Sequence, residues 1–245
     1  MGFLSALLLL AALQGCAGLA LKPMCPSLQQ CGRQQARQVP GAGNCLFISL
    51  AASLWWNSFG IHPDLQDHAF LDMVHSIRQT AVDTLQDPQV PTLLLEGTEE
   101  ISRSRLVHLA AYEYNISPRA YCDRMRLPNT WGGGPEIVAL SHALGRVIVV
   151  YEIDEQAVGS QTTSRQAADH HPLWSYLSGR SVPEPSSTAA LNPALKVVAC
   201  FGFPRNTAHQ PLHILFTNSL ACSTAGRPGS GQRADHFLPL FPCLV

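Results

Sequence analysis

The hydrophobic period changes once along this chain, at Gly145, and that change restricts the folds open to it. Upstream, apolar residues recur at helical spacing. Residues 45–56 repeat Leu46, Leu50, Leu54 and, beside them, Phe47 and Ala51. A second helix is expected from Pro63 or Asp64 to about Gln86. It carries Leu65, Ala69, Phe70, Met73, Val74, Ile77, Ala81 and Leu85 on one stripe before Pro88 stops it. Residues 98–114 form a third candidate through Ile101, Leu106, Leu109 and Ala110. Ser117 and Pro118 supply a cap and a first-turn proline for a short helix reaching Met125. Residues 135–144 make a last one, ended by Gly145. Downstream, residues 146–153 are a near-continuous β-branched run, as expected of a strand covered on both faces. Residues 195–203 and 212–217 read as two more strands, with 236–240 as an added edge. The sum is an α/β domain of α+β type, helices packed on a small, mainly antiparallel sheet.

Composition narrows the classes further. With 245 residues, 46% hydrophobic and 13% charged, the chain can build one globular core. A formal charge of -1 excludes broad electrostatic attraction to nucleic acid or anionic lipid. Residues 1–20 stand apart: a Leu/Ala run from Phe3 to Leu13 is followed by the small residues Gly15, Ala17, Gly18 and Ala20. This is the layout of a secretory signal peptide, although no Lys or Arg precedes the run. A signal anchor or an organelle address is the alternative, and any membrane contact is expected through this segment alone. Residues 21–40 read as an irregular lead-in. The domain is expected over 38–243, with 154–194, rich in Ser, Thr, Ala, Gln and Pro, as a disordered surface insertion.

Of the eight cysteines, Cys16 would leave with a cleaved leader, so an odd number remains. Either six of these pair and Cys45 stays reduced, or all are buried small hydrophobes. No Cys/His cluster has zinc-ligand spacing; neither a metal nor another cofactor is expected.

The stretch Gly41-Ala42-Gly43-Asn44-Cys45-Leu46-Phe47 puts a cysteine just after two glycines, at the start of an apolar helix. There the unpaired amides and the helix dipole favour a thiolate. Glycines also let backbone N–H groups approach a substrate carbonyl, as an oxyanion hole requires. A buried helix-start cysteine in a glycine turn fits the same spacing.

The stretch resembles the Asp-Gly-Asn-Cys-Leu-Phe motif of the ovarian-tumour (OTU) cysteine proteases, with Ala42 where that family has aspartate. Two further blocks are similar to that family in the same order. Residues 121–141, which include Tyr121, Met125, Trp131-Gly132-Gly133, Glu136 and Ala139-Leu140-Ser141, precede the strand 147–151; Asp235-His236-Phe237 comes last. The resemblance implies a papain-like OTU fold and a cysteine-type deubiquitinase acting on ubiquitin or a ubiquitin-like protein. It implies Cys45 as nucleophile and His236 as its base. Backbone around Ala42, Gly43 and Asn44 would serve the oxyanion, and Trp131, Gly132 and Gly133 would wall the cleft. Asp235 adjoins the histidine, but strand alternation makes it a poor orienter, and Leu238 stands where many members carry Asn or Asp. The alternative is a weak or inactive OTU-fold module that binds ubiquitin without cleaving it. His213, within 212–217, is a rival base; His62, His68, His75, His108 and His142 fall on expected helices or their ends.

Overall fold

The computed structural model describes residues 34–96, 99–153, 195–203, 209–217 and 236–242. In chain order the elements are β1 (Gln34–Ala36), α1 (Cys45–Phe59), α2 (His68–Gln86), β2 (Thr92–Leu94), β3 (Glu100–Ser102), α3 (Arg103–Glu113), α4 (Pro118–Met125), α5 (Gly134–Leu144), β4 (Ile148–Ile153), β5 (Leu195–Phe201), β6 (Leu212–Thr217) and β7 (His236–Pro242). The signal-like leader, the 154–194 insertion and Asp235 lie outside the described residues. Among those described, no helix is long and apolar enough to cross a membrane.

Helices do precede the sheet, as the change of period requires. Five strands form one sheet in the order β1-β7-β6-β4-β5. β4 and β6 run parallel; the other three pairings are antiparallel. β2 and β3 make a separate antiparallel pair. Ile148 through Tyr151 are buried, the burial expected of a strand with both faces covered.

α1 is the central helix. Its first nine residues, Cys45 through Ser53, are all buried, so it is a core helix rather than an amphipathic surface one. Two serines fasten it to the sheet: the Ser49 hydroxyl donates to the Phe237 carbonyl at 3.1 Å, and Ser53 donates to the Ser49 and His213 carbonyls at 3.0 and 3.4 Å. Trp56 then packs on Phe241 at 5.4 Å between ring centroids. α2, α3 and α4 begin at side-chain caps in extended conformation, Asp67, Ser102 and Ser117, which accept from the amides of Phe70, Arg105 and Ala120. α5 ends at Gly145, in left-handed conformation at φ 59°, where the sequence puts its stop.

Five expectations require correction. The helix anticipated over 98–114 begins at Arg103; Ile101 belongs to β3, paired with Leu93, and Ser102 caps the helix behind it. α2 begins at His68, with Ala69 exposed, because Asp67 captures the Phe70 amide. β7 is interior, between β1 and β6, and not an edge. Part of the irregular lead-in is the strand β1, which supplies that outer neighbour. Cysteine use also departs from both readings: Cys122 is a reduced, buried thiol like Cys45, whereas Cys200 is disulfide-bonded.

Candidate active site

Cys45 and His236 are 191 positions apart in sequence, and β7 brings the segments carrying them together. Ala36 pairs with Leu240, and the Arg37 amide donates to the Pro239 carbonyl at 3.2 Å. The chain then continues back along β7 until Gly41 reaches His236: a Cβ built on Gly41 would lie 3.7 Å from both Nδ1 and Cε1 of the imidazole. Four residues later the chain enters α1 at Cys45. Ser49, one turn below Cys45 on the same helix face, is the residue that bonds Phe237, next to His236. The two halves of the site thus share one strand and one helix end. Both Cys45 and His236 are 1% exposed.

His213 is elsewhere. Its carbonyl accepts from Ser53, eight residues or about 12 Å down α1 from Cys45. Its ring meets the Tyr151 hydroxyl at 3.0 Å. Burial pulls its pKa down to about 4, so it is a neutral imidazole held inside the sheet layer. Leu238 is fully buried and apolar, with no polar atom to offer the histidine two positions before it.

The loop before Cys45 is clamped from below. Gly43 has φ +83°, and a Cβ there would fall 2.1 Å from the Asn129 carbonyl oxygen; only glycine lets these two backbones touch. Ala42 and Gly41 are exposed, so the position where related motifs carry an acid faces outward here. Asn44 precedes the helix in αR conformation and makes no side-chain cap. Its Oδ1 accepts instead from Nη2 of Arg78, at 2.5 Å.

No sequence motif points to Arg78, yet it is 2% exposed and central. Nη2 donates to the Gly43 carbonyl (3.1 Å), Asn44 Oδ1 and the Thr130 carbonyl (2.9 Å), while Nη1 donates to the Met125 carbonyl (2.9 Å). Its guanidinium carbon lies 4.0 Å from the Phe47 ring centroid. Burial lowers its pKa to about 10, with Glu136 and Cys45 acting the other way, so it remains a cation that favours negative charge at the thiol. One signal was readable: Arg78 interrupts the apolar stripe of α2, with Val74, Ile77, Ala81 and Val82 around it.

The Trp131–Gly133 segment packs against the same end of α1. A Cβ on Gly132 would meet the Phe47 ring at 2.8 Å and Leu46 at 2.9 Å, whereas one on Gly133 would meet nothing within 4 Å. Trp131 is 42% exposed, more than a core tryptophan would be. Behind it, the fully buried Glu136 accepts from the Tyr121 hydroxyl (2.6 Å) and the Gly133 amide (2.8 Å). Burial pushes its carboxyl above the usual range, partly offset by these two donors. Such an arrangement can support acyl chemistry: a thiol at a helix amino end, an imidazole beside the loop that leads into it and first-turn amides without a side-chain cap.

A family model described as an OTU-like cysteine protease matches residues 40–179. This chain belongs to the OTU family. The OTU match begins just before the Gly41–Cys45 loop and runs through α5 and β4. No curated protein sequence matches the chain significantly. Among solved structures, the OTU domain protease of Dera Ghazi Khan virus is similar at 16% identity and a TM-score of 0.42, covering 85% of this chain and 80% of that one. The Hazara virus OTU, solved bound to ubiquitin, gives 18% identity and a TM-score of 0.41 over 87% of this chain and 84% of that one. No metal-binding cluster of His, Cys, Asp and Glu occurs among the described residues of this OTU chain.

Proposed function

We propose that this OTU protein is a thiol-dependent hydrolase of ubiquitin or ubiquitin-like conjugates, with Cys45 as nucleophile and His236 as general base and acid. The observation that carries the reading is the seating of the His236 imidazole against Gly41, at the mouth of the loop that ends in Cys45. The substrate class follows from the motif resemblance and from OTU membership. In the reaction, the Cys45 thiolate attacks the carbonyl carbon of the bond after the ubiquitin terminus, forming a C–S bond and a tetrahedral oxyanion. Amides of the 42–45 segment stabilise that oxygen. The C–N bond breaks as imidazolium His236 protonates the leaving amine. Water then attacks the thioester, His236 accepts its proton, and the carboxylate product leaves a regenerated thiolate. The Cys200 disulfide supports an oxidising compartment, in keeping with the signal-like leader.

The test is a ubiquitin bearing a C-terminal electrophile. A covalent adduct mapped to Cys45, lost in Cys45→Ser and in His236→Ala, is expected. A folded protein that binds ubiquitin yet forms no adduct would instead support the second reading, a non-cleaving binding module. Ala42 in place of the family's acid and the apolar Leu238 are the features favouring that alternative.

A further inference from the structure

Asn44 is among the best helix-capping residue types, and it stands directly before α1 without capping it. The caps of α2, α3 and α4 have ψ of 133°, 135° and 155°, and each accepts from an amide three residues on. Asn44 has ψ -2° instead, and its Oδ1 is turned to Arg78. The same Nη2 also takes the Gly43 and Thr130 carbonyls, three oxygens for two hydrogens, so the guanidinium saturates this corner. Arg78 has no carboxylate hydrogen-bonded to it among the described residues; its partners are carbonyl oxygens, the Met125 sulfur at 3.7 Å and the Phe47 ring. A buried cation held in this way is costly unless its bonds are all made. The alternative state of the loop is simple: with Oδ1 released, Asn44 can rotate to extended backbone and cap a first-turn amide of α1.

We propose that Arg78 is a positioning residue for the reaction: by holding the Asn44 side chain and the Gly43 carbonyl, it keeps Asn44 from rotating to cap α1, so that the Cys45 amide stays aimed at the oxyanion and the Leu46 and Phe47 amides stay open to the Cys45 sulfur. Arg78 touches no reacting atom in this scheme; it selects the uncapped state of the loop. Its charge adds favourably to a thiolate at Cys45. The inference rests on the Cys45–His236 reading for its consequence in turnover, but not for its consequence at the thiol.

The test is a double-mutant cycle between Arg78→Met and Asn44→Ala in the full chain, with two readouts. In ubiquitin cleavage, Arg78→Met is expected to lower kcat by about 10²-fold, the scale of losing an oxyanion donor, with KM changed much less. Asn44→Ala alone removes one acceptor from Arg78 and is expected to lower kcat by less than Arg78→Met does. Asn44→Ala added to Arg78→Met should restore about tenfold, because no side chain remains to occupy the amides. The second readout needs no ubiquitin: the pH profile of Cys45 alkylation by iodoacetamide, site-resolved by mass spectrometry. Its midpoint should rise by about one pH unit in Arg78→Met and return toward wild type in the double variant. Should Arg78→Met fail to fold, Arg78→Lys, which keeps the cation and loses the fork, is expected to give the same pattern with a smaller loss. Losses that merely add, with no restoration by Asn44→Ala in either background, overturn the proposal while leaving the hydrolase reading intact. Absence of ubiquitin cleavage together with a restored alkylation profile overturns the substrate and keeps Arg78 in its role.

Discussion

Gly41 faces the His236 imidazole across the space of one methyl group: a methyl there would sit 3.7 Å from Nδ1 and Cε1, ordinary van der Waals distance. The contact has room for one carbon and no more toward the ring. Gly41→Ala is therefore expected to keep turnover within about threefold, whereas Gly41→Leu should lose about 10²-fold through displacement of the imidazole. Steady-state cleavage of diubiquitin by the two variants, with thermal unfolding as a control for folding, checks this. Equal losses in both would mean that the histidine does not depend on this wall.

Gly43 has a different constraint, since both its backbone and its space exclude a side chain. The left-handed φ of +83° alone costs a non-glycine residue about 1–2 kcal/mol. A Cβ also collides with the Asn129 carbonyl, which is backbone and cannot rotate away. Gly43→Ala is expected to lose at least about 3 kcal/mol of stability in urea unfolding, and to uncouple the 41–44 and 126–133 loops. A loss below about 1 kcal/mol would show that the two loops are not clamped.

How much of this was legible beforehand depended on the range of the interaction. Stripes such as Phe70, Val74, Ile77 and Ala81 are local and announced α2 directly. The Ser117-Pro118 start and the Gly145 stop are equally local, and both stand where the residues put them. β1 was not visible, because nothing in Gln34–Ala36 favours a strand; its partner, the last part of β7, lies two hundred residues away. The same pairing turns β7 from an edge into an interior strand. Ile101 continues the helical period of α3, but pairing with Leu93 and the Ser102 cap set the boundary. For the candidate site, the cysteine after the glycines and the late histidine could be proposed from their motifs. What holds them could not: a buried arginine on an apolar stripe looks like an error in a helix until its acceptors, all from other segments, are known.

The adjacent glycines of the Trp131 segment should separate cleanly. Gly132→Ala drives a methyl into the Phe47 ring and Leu46 at under 3 Å, an overpacking expected to cost about 1–3 kcal/mol. Gly133→Ala enters open space and is expected to leave the unfolding midpoint unchanged. If this segment walls the substrate cleft, Gly133→Ala will raise KM for ubiquitin substrates with little change in kcat. An unchanged KM would place the cleft elsewhere.

Glu136 makes stability depend on pH in one direction. Its ordinary value is 4.5 and burial raises it in the folded state, so the folded chain keeps this proton longer than the unfolded one. Its contribution is fully present below about pH 4.5 and declines as pH rises through the folded value. Glu136→Gln stays neutral at every pH and can still accept from the Gly133 amide. Unfolding curves across this range should show that component of the slope in wild type and its absence in Glu136→Gln; parallel slopes would mean that Glu136 ionises as easily folded as unfolded.

His213 acts with the opposite sign. An unfolded histidine titrates near 6.5, while burial beside Tyr151 lowers the folded value to about 4. Between these two values the unfolded chain binds a proton that the folded chain refuses, so stability falls as pH drops from 6.5 toward 4. A shift of this size corresponds to at most about 3 kcal/mol, less for any water that reaches the ring. His213→Gln cannot be protonated and can keep a hydrogen bond to the Tyr151 hydroxyl, so it should lose markedly less stability than wild type between pH 7 and pH 4.5 in urea. Because Ser53 fixes His213 two turns down α1 from the thiol, the same variant should retain ubiquitin cleavage at pH 7.5. Loss of cleavage in a stable His213→Gln protein would transfer the base from His236 to His213 and reverse the assignment built on β7.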